Sequence, residues 1–289
     1  MLGRIAFHLI RPLLYAVSYL PFWVLYRLSD VLFVILYYVV GYRKRVVAEN
    51  LEHAFPELSP FARKGLLKTH YRYLCDLILE ALKTLTISQA AATARVEIVH
   101  TELFDKYYAE GRSVVLVTGH LGNWELIGAA YAGIAAHTLY IIYHPLKDPN
   151  WESLTRHMRT RLGNGLYRMR EASRDMLAHM DDPRITAFIA DQAAHPDRGY
   201  WMEFMGREAP VFLGTARLAR RLNQPIIYAS ISRPRRGHYR VELELLYDQP
   251  QNHTEEEITM VHTKRLEQDI RRQPDIYLWT HRRWKHRRS

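Results

Sequence analysis

The sequence predicts a layered α/β domain, a mixed sheet with flanking helices, carrying a hydrophobic membrane segment at its N-terminus. Three observations predict this. Residues 12–26 and 31–42 are two apolar runs of 15 and 12 positions without a charge. From residue 95 onward, short β-branched runs alternate with helical stretches, the rhythm of a sheet covered by helices. Apolar residues make up 48% of the 289 positions, enough for a large core, which excludes general disorder.

The elements follow in order. Neither apolar run alone reaches the roughly 20 residues a span needs, but together they exceed it. Only Arg27 and Asp30 interrupt them, three apart and so able to pair on one helical face. Pro21 marks a kink or a helix start. The segment reads as one spanning helix or a hairpin dipping into the bilayer; the competing reading is a pair of buried helices. It is too long and aromatic for a cleaved signal peptide, and no small-x-small site follows. Arg43-Lys44-Arg45 then forms a cluster suited to lipid headgroups on the cytoplasmic side. Ser59-Pro60 starts a helix, with Leu74, Leu77, Ile78 and Ala81 at helical spacing and Cys75 packed inside the pattern. Strands are expected at 96–99, 113–118, 137–144, 185–190, 225–231 and 238–247. Helices are expected near 101–110, 123–135, 150–162, 212–223 and 254–272. The alternation Val241, Leu243, Leu245 against Glu242, Glu244, Leu246 suits an edge strand.

Charge narrows the partners. Forty Lys plus Arg against 30 Asp plus Glu give +10, which favours an anionic partner: nucleic acid, a phospholipid surface or a phosphorylated substrate. A single cysteine excludes an internal disulfide and a Cys-rich metal site. HExxH is absent and the histidines show no ligand spacing, so no metal is expected.

The segment SVVLVTGHLGNWELIGAAYAG carries the chemistry. A buried strand ends at Thr118-Gly119, and His120 follows at its C-terminal end, the edge where α/β sheets bind ligands. Asn123 caps the helix that carries Glu125. An imidazole can take the proton of a sugar or glycerol hydroxyl as it attacks an acyl carbonyl. A carboxylate on the other ring nitrogen fixes the tautomer, and Glu125 is expected in that place. The acceptor is the nucleophile, so no Ser or Cys is needed. There is no GxSxG elbow, which weakens a serine hydrolase.

Six stretches carry a resemblance. GHLGNWE (119–125) looks like an HxxxxD/E box in its Glu form. ENLEHAFPELS (49–59) and the run from Tyr143 to Arg170, with Arg159, Arg161 and Gly163, match further blocks. So do ADQAAHP (190–196), 206–227 and YLWTHRRWKHR (277–287). The sequence resembles the lipid A biosynthesis (Kdo2-lipid A lauroyl/myristoyl) acyltransferases, related to lysophospholipid acyltransferases, over nearly its whole length. The resemblance implies a glycerolipid-acyltransferase-like fold, with residues 1–42 as membrane anchor and 43–289 as acyltransferase domain. It also implies transfer of a fatty acyl chain from acyl carrier protein or coenzyme A to a hydroxyl of a lipid A precursor, at the bacterial inner membrane on its cytoplasmic face. No bound cofactor is implied; the thioester is a substrate. The alternative acceptor is a lysophospholipid or an aminolipid. By family match, His120 and Glu125 are the catalytic pair, Arg161 is the Arg of the second block, and Asp191-Gln192 is the later box. After Asp191-Gln192 the family often has an acidic residue and Gly-Pro, where Ala193-Ala194-His195-Pro196 stands here. That bears on the acceptor more than on the chemistry.

The surrounding residues read as follows. Arg156, Arg159, Arg161, Arg168, Arg170 and Arg174 crowd one stretch, suited to a phosphate or a phosphopantetheine arm. Arg159 and Arg161 cannot share a helical face, so one points inward and the other outward. Asp191 and Gln192 follow a buried strand, at the same sheet edge as His120, with Asp191 placed to orient Arg161 or the loop. Phe204, Met205, Pro210, Val211 and Phe212 are candidates for an acyl groove. The tail WTHRRWKHRRS interleaves Trp279 and Trp284 with five cations, a pattern shared by nucleic-acid and anionic-bilayer binders; the hydrophobic N-terminus favours the bilayer, and no nucleic-acid partner is expected.

Overall fold

The computed structural model describes residues 2–197 and 199–286, with side chains from residue 6 onward. Helix α1 (Leu2–Tyr19) is followed by α2 (Phe22–Val34), which begins at Pro21 in extended conformation. Pro21 is therefore a helix start. The helix continues as π-helical turns over Ile35–Val40 and stops at Gly41, whose φ of 63° favours glycine. Phe22–Val40 is the one helical stretch among the described residues long and apolar enough to cross a membrane, and most of it is not buried. Its inward positions Leu25, Ser29, Phe33 and Tyr37 recur every four residues and are buried, whereas Trp23, Val31, Tyr38 and Val39 stay exposed.

After α3 (Lys44–Ala54) comes the long α4 (Pro60–Lys83), capped by Ser59 with Pro60 in its first turn, as the sequence predicts. It is the bracket for the N-terminal helices. Ser29 donates to Asp76 at 2.6 Å, and Lys83 reaches the carbonyls of Ser18 and Leu20. The expected Arg27–Asp30 pair does not form; Asp30 instead takes Arg236 at 2.8 Å, because Asp76 holds that guanidinium beside the helix. Cys75 is fully buried and packed.

The remaining elements are α5 (Gln89–Thr93), β1 (Val96–Val99), α6 (Glu102–Ala109), β2 (Val114–Thr118), α7 (Trp124–Tyr131), β3 (Thr138–Tyr143), α8 (Pro149–Thr160) and β4 (Gly165–Arg168). Then follow α9 (Ala172–Ala178), β5 (Arg184–Ile189), β6 (Tyr200–Phe204), β7 (Arg207–Val211), α10 (Gly214–Leu222), β8 (Ile226–Arg235), β9 (His238–Tyr247) and α11 (Glu255–Arg272). Among the described residues, seven strands form one sheet in the order β1-β9-β8-β2-β5-β3-β4. All neighbours are parallel except the β8–β9 pair. The expected mixed sheet is present. Strand β9 is not the edge: β1 pairs with its residues Tyr239 to Glu242 and leaves only the later half uncovered.

Side chains alternate across the central strand. Val115 and Val117 of β2 pack with Ala216, Ala219 and Ile258 of α10 and α11. Leu116 and Thr118 point to the opposite face, toward α7. The β6–β7 hairpin, absent from the sequence prediction, turns tightly on Met205 and Gly206, both with positive φ.

Candidate active site

The site forms where β2 and β5 end side by side. Their parallel register pairs Thr118 with Ile189. Two residues further on, that register sets His120 beside Asp191. Asp191 Oδ1 lies 2.6 Å from His120 Nδ1, and Oδ2 accepts the His120 main-chain N–H at 3.1 Å. The carboxylate therefore places the ring proton on Nδ1 and leaves the Nε2 lone pair outward. The Gln192 amide nitrogen stands 3.4 Å from Nε2, and the Trp124 ring meets the imidazole edge-on at 4.9 Å.

Asp191 is buried, which alone would raise its carboxyl. Attraction to His120, the two hydrogen bonds from His120 and the Arg283 guanidinium override burial and hold it at about 2. Burial pushes Arg283 below the usual guanidinium range, against the attraction of Tyr277 and Asp191. Arg283 comes from the C-terminal segment, which folds against the His120 loop. Gly122 N–H donates to Ile276 O at 3.0 Å, and Leu278 N–H donates to His120 O at 3.0 Å. Tyr73 of α4 braces the same loop by donating to Gly122 O at 2.6 Å. Gly122 has φ +62°, and a Cβ there would lie 2.5 Å from the Ile231 side chain. Only glycine lets the loop pass this close.

Glu125 does not touch the imidazole. It sits in the first turn of α7, and its carboxylate is gripped by Arg159 of α8 at 2.5 Å (Nη2) and at 3.0 and 3.1 Å (Nε). The expected Glu125 contact on the second ring nitrogen is thus replaced by Asp191. The reason is geometric: the helix axis carries Glu125 away from the strand end, whereas the parallel neighbour delivers Asp191 to it. Glu125, Arg159, His120 and Gln192 nonetheless share the wall of one cavity. Burial opposes the charge on Arg159, but the Glu125 hydrogen bonds and charge raise its guanidinium above the usual value.

Two predicted ligands face elsewhere. Arg161, at the end of α8, donates to Ile87 O at 2.8 Å from both terminal nitrogens and closes the turn after α4. Arg159 and Arg161 leave α8 on different faces, as expected, with Arg159 at the cavity, but Arg161 turns onto the Ile87 carbonyl rather than outward. Asn123 is fully buried: its carbonyl caps α7 at Leu126 N, and its amide donates to Glu80 at 3.0 Å. Burial raises the Glu80 carboxyl, and donors including Asn123 and Tyr239 oppose that rise. Asn123 is thus a structural link rather than a surface open to ligand.

The cavity holds about 320 Å³ and runs from His120 between the sheet and α7. Its deep wall is apolar, with Phe104, Leu116, Leu139, Ile141, Val241 and Leu243. The predicted groove at Phe204–Phe212 is not part of it: Phe204, Met205 and Val211 are core residues of the hairpin. The signal for the lining lies in the period-two alternation of β2, β3, β5, β8 and β9, whose residues facing α7 form it. Trp124, Tyr277 and Arg283 complete the surroundings of the pair, and none was assigned a role from the sequence.

The family model of the bacterial lipid A biosynthesis acyltransferases matches residues 1–286. The chain belongs to that family. It is an acyltransferase, and the mixed α/β fold with an apolar N-terminal helix accords with that membership. No curated relative matches the chain. Among the described residues, no three His, Cys, Asp or Glu side chains gather as metal ligands.

Proposed function

We propose that this enzyme moves a fatty acyl chain from an acyl carrier protein or coenzyme A thioester to a hydroxyl of a lipid A precursor. One observation supports it above the rest: an imidazole held through Nδ1 by a buried carboxylate opens, at Nε2, onto an apolar cavity. The acyl chain enters the cavity, where each methylene withdrawn from water contributes about 0.8 kcal/mol. The acceptor hydroxyl displaces Gln192 and gives its proton to Nε2 as its oxygen bonds to the carbonyl carbon. Asp191 steadies the imidazolium that forms. The tetrahedral intermediate collapses, the carbon–sulfur bond breaks, and His120 returns the proton to the departing sulfur. Arg159, set by Glu125, meets the anionic part of a substrate at the mouth. Residues 1–42 anchor the enzyme, with Phe22–Val40 in the inner membrane and the domain 43–289 on the cytoplasmic face.

The test presents the full chain with labelled acyl-carrier-protein and acyl-coenzyme A donors and a panel of acceptors: lipid A precursor, lysophospholipid and aminolipid. Acylation of the glycolipid hydroxyl is expected. Exclusive acylation of a lysophospholipid or aminolipid overturns the acceptor. Release of free fatty acid regardless of acceptor overturns transfer in favour of hydrolysis.

A further inference from the structure

A second concavity, of about 830 Å³, shares no lining residue with the cavity at His120. Its walls are the start of α3, the C-terminal segment and the Arg207 end of the β6–β7 hairpin. Among the described residues, six cations face it, Arg43, Lys44, Arg45, Arg207, Arg282 and Lys285, against one carboxylate, Glu49. Arg45 takes that carboxylate at 2.7 Å. Arg43 and Lys44 are held by neutral partners, the carbonyls of Thr280 and Tyr37 and the Tyr37 ring. Among the described residues, Arg207, Arg282 and Lys285 have no carboxylate within ion-pair distance. Trp284 also lines the hollow, and among the described residues its buried indole N–H has no hydrogen-bond partner. A buried donor left unpaired is costly, and an anion accepting from it removes the cost.

The hollow is preformed. Asn50 donates to Trp279 O and His281 O at 2.7 and 2.8 Å, tying α3 to the C-terminal segment, and Trp284 stacks on Phe204. Its position is telling. Gly41, its first lining residue, directly follows Val40, where the apolar stretch Phe22–Val40 ends. Cations gathered at that level meet the headgroup layer of a bilayer. Arg287 and Arg288, which continue the basic tail, lie outside the described residues.

We propose that this hollow binds the phosphate of an anionic membrane lipid with a phosphomonoester head, at a site separate from the reaction centre. The cations take the phosphate oxygens, and the Trp284 N–H donates to one of them. The inference does not depend on acyl transfer.

The test uses the full chain in neutral detergent, titrated with phosphatidic acid, phosphatidylcholine or inorganic phosphate and read by native mass spectrometry. Saturable binding of phosphatidic acid over phosphatidylcholine is expected. The triple variant Arg207→Gln, Arg282→Gln, Lys285→Gln should weaken it by at least about tenfold, the loss of one charge-assisted hydrogen bond or more. Trp284→Phe should weaken it by a smaller factor, and His120→Ala should bind like the wild type. Inorganic phosphate that binds as tightly as phosphatidic acid would make the occupant a free ion and overturn the membrane role. Wild-type lipid affinity in the triple variant overturns the site, as does lost binding of acyl carrier protein with lipid binding intact. If the triple variant does not fold, unchanged affinity in Trp284→Phe overturns it.

Discussion

Replacing Asp191 by Asn tests the support of the imidazole with almost no change in shape. The carboxylate accepts two donors, Nδ1–H and the main-chain N–H of His120. An amide has one acceptor oxygen, so its NH₂ must face one of those donors. The ring relieves the conflict by moving its proton to Nε2, and the base is lost. A wrong tautomer of this kind costs turnover by roughly 10² to 10⁴. The fold pays less. Asp191 stands at about 2 against an ordinary 3.8, so its pairing contributes roughly 2 kcal/mol. Because the folded value is depressed, that stability is present above 3.8 and fades as pH falls through about 2. At neutral pH the variant loses it, a drop in Tm of about 5 °C. Turnover is read as labelled acyl transfer at a temperature where circular dichroism matches the wild type. A folded Asp191→Asn enzyme within about tenfold of wild-type turnover would refute the reasoning and return the role to Glu125.

Other outcomes follow from the same geometry. Gly128 lines the cavity, and a Cβ there meets Ile141 at 3.5 Å, so Gly128→Met should shorten the acyl chain accepted. Two methylenes excluded correspond to about a 15-fold loss in kcat/KM for the longer donor, read by product mass spectrometry. Arg161→Ala should lower stability by about 1–3 kcal/mol through the freed Ile87 carbonyl, yet keep KM near wild type at permissive temperature; a large rise in KM with unchanged Tm would contradict this. Buried His70 and His262 are pushed by desolvation from 6.5 to about 4. Their neutral forms support the fold fully above 6.5, and that support is lost as pH falls toward about 4, roughly 3 kcal/mol each. Denaturant midpoints between pH 7 and 4.5 check it, and a flat profile would contradict it.

The strands were legible because buried β-branched runs such as Val114–Thr118 have few other uses. Their partners were not. His120 and Asp191 meet only because β2 and β5 pair in parallel across 71 residues, and register between distant strands leaves no local trace. Sequence alone placed both residues at one sheet edge but assigned the ring to Glu125, five residues away. The arginine run showed the same limit. Helical periodicity separated Arg159 from Arg161, but which one faced the cavity depended on where α8 docks beside α7. Strand β4 (Gly165–Arg168), which opens on Gly165, lacks the β-branched residues that marked β1, a strand of the same length. The β6–β7 hairpin was signalled only by Gly206, with Met rather than Asn before it.

The most direct test of the chemistry is mass spectrometry of membrane lipids from cells carrying the wild-type enzyme or His120→Ala. General-base work at His120 predicts that one lipid lacks one acyl chain in the variant, with turnover in the purified enzyme down by at least about 10². A correctly folded His120→Ala enzyme that leaves the lipids fully acylated would contradict it.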